Sequence, residues 1–338
     1  MGVGNTRQKT GTRGLKMAHE QIGHQDIGDT FSGTYYVQAA YIKKTTTNRD
    51  YTDMTLRDKS GARPVKYWGT VKDLEKGCFV FVAAVVEDYQ GSASIIARNV
   101  ELVDEPKDLS DYIPSFEDAA GLAEGFDDIR AVIAGIEKDT KDDTCGLLVD
   151  EVYHNGKFFD RFVRSPGSDG PHYGKIGGLL ANVVCVADHA SKAAAVYALQ
   201  PDESNVLITA ALLCRVGGAD AYDMEDCMPV MSKRGVLLGV SNLTMSRITS
   251  AIRRVIQAAK TDGKSVSQDV ILRVLHAVVA SGKTDGVTPM TKEALILAGI
   301  LELDTEVVDA IDFIENDANK DEEFTSFDAR LGRRYYRG

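Results

Sequence analysis

The sequence is poor in the residues that staple small folds together. It holds five cysteines, at 78, 145, 185, 214 and 227, with no Cys-x-x-Cys pair. An odd, scattered set of this kind excludes a disulfide framework and a zinc ribbon, and fits free thiols in a reducing, cytoplasmic compartment. No run of about 18 apolar residues occurs, so no membrane-spanning helix and no membrane partner are expected. Residues 1–16 carry charge but no apolar core, which is not the pattern of a secretory signal. Met1-Gly2 with Thr6 matches only the short, common outline of a myristoylation site. Phosphate-binding glycine loops are missing as well. Gly174 to Gly178 and Gly217-Gly218 fit no P-loop or dinucleotide fingerprint, and Ser281-Gly-Lys-Thr284 reads as a helix cap and loop. No cofactor is expected, and no internal repeat is found.

What is present is an ordinary globular composition, 43% apolar and 26% charged over 338 residues, long enough for two domains. The net charge of −11 is unevenly spread. Residues 1–110 hold 15 Lys/Arg against 14 Asp/Glu, and the remainder 24 against 36, so a net of +1 faces a net of −12. A near-neutral front and an acidic back fit one segment that meets a polyanion and another kept off it.

The patterning predicts an α+β protein. Residues 1–30 are polar and glycine-rich, and read as a flexible arm with Arg7, Lys9, Arg13 and Lys16 near its tip. Strand-like segments follow at 33–43, 51–58, 63–68, 78–86 and 93–103, with a short connector at 71–77. Three strands, a connector and two strands make the count of a five-stranded Greek-key barrel of OB type over 31–105. Pro106 and Pro114 among charges mark a linker over 106–116. An all-helical domain is expected over 117–312, with candidate helices at 116–136, 177–199, 204–216, 242–260, 267–280 and 292–301, and a capping box at Ser265–Gln268. An acidic, then basic and aromatic tail ends the chain over 313–338.

OB-type barrels bind single strands on the face of strands 2 and 3, with cations on the backbone and rings under the bases. Met54 and Leu56 are expected to face the core, which turns Tyr51, Asp53, Thr55 and Arg57 outward. With Val65 inward, Lys66 and Trp68 share the outer face, near Arg57, Lys59 and Arg63. Lys43 ends the first strand, and Tyr89 sits before the turn between strands 4 and 5. These eight residues (Lys43, Tyr51, Arg57, Lys59, Arg63, Lys66, Trp68 and Tyr89) form the candidate nucleic-acid site.

The order of elements resembles the YhaM-type 3′–5′ exoribonucleases, which join an OB barrel to an HD phosphohydrolase domain. The likeness covers roughly residues 33–310 and rests on Met54-Thr-Leu-Arg-Asp-Lys-Ser-Gly61, Tyr67-Trp68, Ile176-Gly-Gly-Leu-Leu180, Leu207-Ile-Thr-Ala-Ala-Leu-Leu213, Gly235-Val-Leu-Leu-Gly239 and Thr288-Pro-Met-Thr-Lys-Glu-Ala-Leu295. The resemblance implies divalent cations held by imidazoles and carboxylates that activate a water. At the implied positions stand His172 and Tyr173, Asn182, Cys214 and Arg215, Gly218, Val240, Ala280 and Ser281, and Leu301 with Asp304 nearby. Of the expected ligands only His172 survives, and a guanidinium at 215 repels a cation. Asp188-His189 is a reversed doublet without a His-rich partner, His276 reads as a hydrogen-bonded core histidine, and Cys214 as a small buried hydrophobe.

The expectation is therefore a degenerate HD-like domain without metal, catalytic residues or hydrolase activity, coupled to a barrel that binds single-stranded DNA or RNA, with DNA favoured. Such relics suit compact genomes such as those of bacteriophages, whose proteins act in the host cytoplasm. There the protein would coat the strand or recruit a polymerase or other replication or transcription protein through the helical domain, which also offers a dimerisation surface. A metal-dependent 3′–5′ exonuclease with a rebuilt site and a protein-binding adaptor are the alternatives. The acidic stretch from Asp317 to Glu323 is a candidate to mimic the strand on the barrel, and Arg333-Arg-Tyr-Tyr-Arg337 to add to binding.

Overall fold

A computed structural model describes residues 19–89, 91–106, 111–112, 119–154, 157–170, 172–225, 228–262, 266–282, 286–317 and 322–337. The arm's basic tip, the myristoylation outline, Cys227, Ser265 and Lys283-Thr284 lie outside these residues, as does part of the linker and of the acidic run. The chain divides into two units at Tyr112/Ile113.

The first unit is a closed barrel of β1 (Thr30–Lys44), β2 (Asp50–Asp58), β3 (Gly61–Tyr67), β4 (Phe79–Tyr89) and β5 (Ser92–Val103), in the order β1-β2-β3-β5-β4. All neighbours are antiparallel except β3 and β5. That is the five-stranded Greek-key barrel expected from the strand pattern. Alternation fills it: Tyr35, Val37, Met54, Leu56, Val65, Val80, Val82 and Ile95 are buried in one cluster. The short parallel pairing of Val65–Tyr67 with Ile95–Ala97 closes the barrel.

Residues 19–29 differ from the expected flexible arm. They are part of the barrel, because Ile22, in a single 3₁₀ turn (Ile22–His24), is fully buried in its core. The buried carboxylate of Asp58 accepts from the Ile22 backbone at 2.8 Å, and the His19 ring lies 3.1 Å away. The Tyr35 hydroxyl donates to the Glu20 carbonyl at 2.6 Å. One buried isoleucine and one exposed one, Ile27, among polar neighbours give no periodic signal, so the clasp was invisible to patterning.

The second unit is helical: α1 (Ala119–Thr140), α2 (Thr144–Tyr153), α3 (Phe158–Phe162), α4 (Gly178–Val196), α5 (Pro201–Leu213), α6 (Gly218–Ala221), α7 (Lys233–Thr261), α8 (Gln268–Ser281) and α9 (Lys292–Asn316), with a hairpin of β6 (Tyr222–Glu225) and β7 (Met228–Met231). α4 is long and apolar enough to cross a bilayer by length and composition alone. Here it runs through the helical core, with Leu179, Leu180, Val183, Val186, Ala187 and Ala190 buried. Gly178 is required at its start, since a Cβ there would stand 1.9 Å from the Tyr173 carbonyl oxygen. The glycines around 174–178 thus serve close backbone packing.

Several boundaries move for identifiable reasons. α5 begins at Pro201, not 204, because Gln200 and Glu203 form a capping box ahead of it. α8 is capped by Ser267, which accepts from the Val270 backbone at 3.2 Å. α7 begins at Lys233, nine residues before the expected start at 242, capped by Ser232 and kinked at Gly239 (φ 73°). α9 continues to Asn316, past the expected end at 301 and past the domain limit set at 312. Beyond it the tail folds back on the helix. Arg330 pairs with Asp309 at 2.6 Å, Arg337 with Asp317 at 2.7 Å, and Ser326 donates to Asp317 at 2.6 Å. Asp317 and Arg337 are thereby committed within this unit, so neither is free for the roles assigned to the tail.

Candidate nucleic-acid interface and the helical cleft

The outer face of the barrel is set by register. β1 carries an extra residue between Val37 and Ala39, a bulge that reverses its alternation. Tyr41 and Lys43 therefore point outward beside Asp53 and Tyr51, their partners on β2. Across the next pair, Asp53 stands opposite Lys66 on β3. Trp68, one residue beyond β3, is 60% exposed, and its ring centroid lies 5.3 Å from that of Tyr51. Lys66 Nζ sits 5.8 Å from the centre of the Tyr89 ring, itself 63% exposed. Alternation in β2 is as expected, with Met54 and Leu56 buried and Tyr51, Asp53, Thr55 and Arg57 half-exposed.

The structure brings together Lys43, Tyr51, Lys66, Trp68 and Tyr89, but not the other three candidates. Arg57 faces outward opposite Ala62, six residues along β2 from Tyr51, a span of about 20 Å at the rise of a strand. Arg63 has the inward parity of Val65, and its guanidinium donates to the Gln25 carbonyl in a half-buried position. Burial pushes its pKa down against the pull of Asp26. Lys59 pairs with Asp111 at 3.2 Å, and its backbone donates to the Asp111 carbonyl at 2.9 Å. Proximity in sequence misled here, because the β2–β3 turn carries Lys59 and Arg63 to the far end of the sheet from Trp68. Lys43 is bridged to Asp53 at 2.5 Å, a hydrogen bond that raises its pKa and keeps it cationic.

Sequence reasoning missed Tyr41, 63% exposed on the same face. Strict alternation from Tyr35 and Val37 puts Tyr41 inside and Ile42 outside; only the bulge corrects this, and no glycine marks it. The resulting face is two rows of mixed rings and charge, with Lys43 and Lys66 flanking the Asp53 carboxylate. Such a surface offers stacking planes next to cations that can meet phosphates.

In the helical unit, His172 and Asn182 converge on Asp304. The buried Asp304 carboxylate accepts from Asn182 Nδ2 at 2.8 Å and from the Tyr173 hydroxyl at 3.0 Å, and lies 3.2 Å from His172 Nε2 and 3.5 Å from Cys185 Sγ. Burial would raise its pKa, but hydrogen bonds from His172 and Tyr173 outweigh that and hold it below the usual carboxylate range. Tyr173 is held in the left-handed region (φ 55°), backbone strain of order 1 kcal/mol that the hub must over-determine. Asp188 pairs with Lys192 at 2.6 Å, and His189 lies 3.7 Å from Cys185. Among the described residues no group of three His, Cys, Asp or Glu is arranged to hold a metal ion. His276 accepts from the Met290 backbone at 3.0 Å.

Nearby a cleft of about 450 Å³ is lined by Cys214, Arg215, Val240, Ser281 and Leu301, with Glu302 and Glu306. Burial pushes the Cys214 thiol up to about 11, against the opposing pull of Arg215. Its Sγ bonds the Ala211 carbonyl of its own helix at 3.3 Å.

No protein-family model matches the sequence, and no curated protein matches it. Among solved structures, the second OB-fold domain of replication protein A from Methanococcus maripaludis is similar at 17% identity, over 27% of this chain and 100% of that one, with a TM-score of 0.22. An OB domain of a Methanosarcina mazei protein is similar at 17% identity, over 26% of this chain and 84% of that one, also at a TM-score of 0.22.

Proposed function

We propose that this protein binds single-stranded nucleic acid, DNA in preference, on the outer β2–β3 face of its barrel, and that it is not a nuclease. The observation that carries the reading is Trp68. It is the sole tryptophan of the chain, yet it stands in solvent against Tyr51, with Lys66 two residues before it. An indole left exposed forgoes burial worth about 2–3 kcal/mol. Stacking on a base recovers about 1–3 kcal/mol per base.

The helical unit is read as a hydrolase relic of HD type. Its support is that the positions implied for metal ligands gather around one cleft and one carboxylate, but present Cys214, Arg215, Val240, Ser281 and Leu301 to the cleft. Of these only a thiol held protonated by burial and a hydroxyl carry lone pairs, and the permanent cation of Arg215 stands against a divalent ion beside the cleft's Glu302 and Glu306.

Because Trp68 is unique, its own fluorescence reports on the face. Titration with an oligothymidylate is expected to quench it, and Trp68→Ala to weaken binding by about 1–3 kcal/mol. Unquenched emission together with unchanged affinity of the variant removes the proposed face. Manganese-dependent shortening of a labelled strand that disappears in His172→Ala would establish the nuclease reading instead.

A further inference from the structure

The helical unit is acidic overall, yet one groove on it is strongly basic. A cleft of about 640 Å³ between α3, α6 and α7 is lined by Lys157, Arg161, Arg234, Arg247 and Arg254, with Asp220 as its one acid. A second cleft of about 500 Å³ shares Arg161, Asp220 and Arg234 and extends the groove past Arg164 and Lys233, adding only Asp223 on the acid side.

Asp220 is oversubscribed. Its nearly buried carboxylate receives Arg161 at 2.5 Å, Arg247 at 2.9 Å and Arg234 at 3.9 Å. One negative charge against three guanidinium groups leaves two positive charges uncompensated. Arg254 is bridged to Glu151, while Lys157 makes no ion pair among the described residues. Arg247 sits over the Phe158 ring, 3.4 Å from its centre, and its buried Nε has no hydrogen-bond partner among the described residues. Like charges this close repel, and a protein keeps such a cluster at a cost in stability unless an anion completes it.

We propose that this groove binds the phosphodiester backbone of a nucleic acid strand, as a second contact separate from the barrel face. Three features favour a polymer over a single phosphate compound. The groove is two continuous clefts, its cations are distributed along both, and its central guanidiniums have the fork geometry that matches phosphate oxygens. Phe158 is buried beneath Arg247, so it is not offered to a base. The contact is therefore to backbone and independent of sequence.

The test uses the full chain and fluorescence anisotropy of a labelled oligothymidylate over a series of KCl concentrations. Lys157→Glu with Arg234→Glu is the variant of choice, since the Arg234 side chain is 63% exposed and only at the edge of the Asp220 cluster. Lys157→Gln with Arg234→Gln, which adds no negative charge, is its control for folding and repulsion. Two lost phosphate contacts flatten the plot of log K against log salt by about 1.4, at roughly 0.7 per contact on a single strand. Both variants are expected to show this change, whereas Trp68→Ala is expected to lower affinity with the slope kept. The two readings thus fail separately. A wild-type slope in both charge variants overturns the groove, and so does the absence of any strand binding at low salt. Stabilisation of the wild type, but not of the charge variants, by ATP or tripolyphosphate without any change in slope would assign the groove to small phosphate compounds and overturn the polymer.

Discussion

Asp304 shows how much can depend on one carboxylate. It is 2% exposed at the side chain and satisfies donors from Asn182 and Tyr173, with His172 alongside. Asp304→Ala is expected to strand those groups and destabilise the helical unit by about 3 kcal/mol, read as a lower melting temperature by far-ultraviolet circular dichroism. Asp304→Asn should cost less, because the amide still accepts one of the bonds. Cys214 gives a complementary expectation. With its thiol pushed up to about 11 by burial, it stays protonated at pH 8. Iodoacetamide at that pH is expected to leave it unmodified in the folded chain, and mass spectrometry of its peptide checks this. Rapid labelling of Cys214 would show an activated thiol and revive a catalytic role for the cleft.

At the scale of elements, the clasp made by residues 19–29 is what closes one end of the barrel. Ile22→Ala removes a fully buried side chain and is expected to cost about 2–4 kcal/mol. Since the only tryptophan lies in this unit, melting followed by its emission reports the barrel alone. Asp58 holds the clasp from the other side. Burial raises its pKa, but hydrogen bonds from His19, Ser60 and the Ile22 backbone bring the net below the ordinary value. A depressed carboxylate stabilises the fold above the unfolded pKa of about 4, and that contribution is lost as pH falls through the lower folded value. The barrel of the parent chain should therefore lose stability steeply below about pH 4, and Asp58→Asn should flatten the decline. Equal acid sensitivity in the variant would place the titration elsewhere.

At the scale of the molecule, the barrel was legible because Met54, Leu56 and Val65 alternate cleanly and glycine turns separate the strands. Most of the long helices were legible from their apolar spacing, but α2 was not, although six of its ten residues are buried. Short connectors such as α3 and α6 were not, since five and four residues carry no period. The face was half legible: Tyr51, Arg57, Lys66, Trp68 and Tyr89 followed from alternation and turns, although Arg57 lies at the far end of β2 from Tyr51, while Lys59 and Arg63 were added by nearness along the chain, which an antiparallel register does not respect. The basic groove was not legible at all. Its cations come from segments nearly a hundred residues apart, and on average they are drowned in an acidic background. The extra residue at Gln38 has a consequence for evolution and design alike. Flattening the bulge, with Gln38 taken into the ladder as an ordinary residue, would restore strict alternation to β1, swap Tyr41 and Lys43 for Ala40 and Ile42 on the outer wall, and turn a wettable, ring-bearing surface greasy without touching a single side chain of β2 or β3.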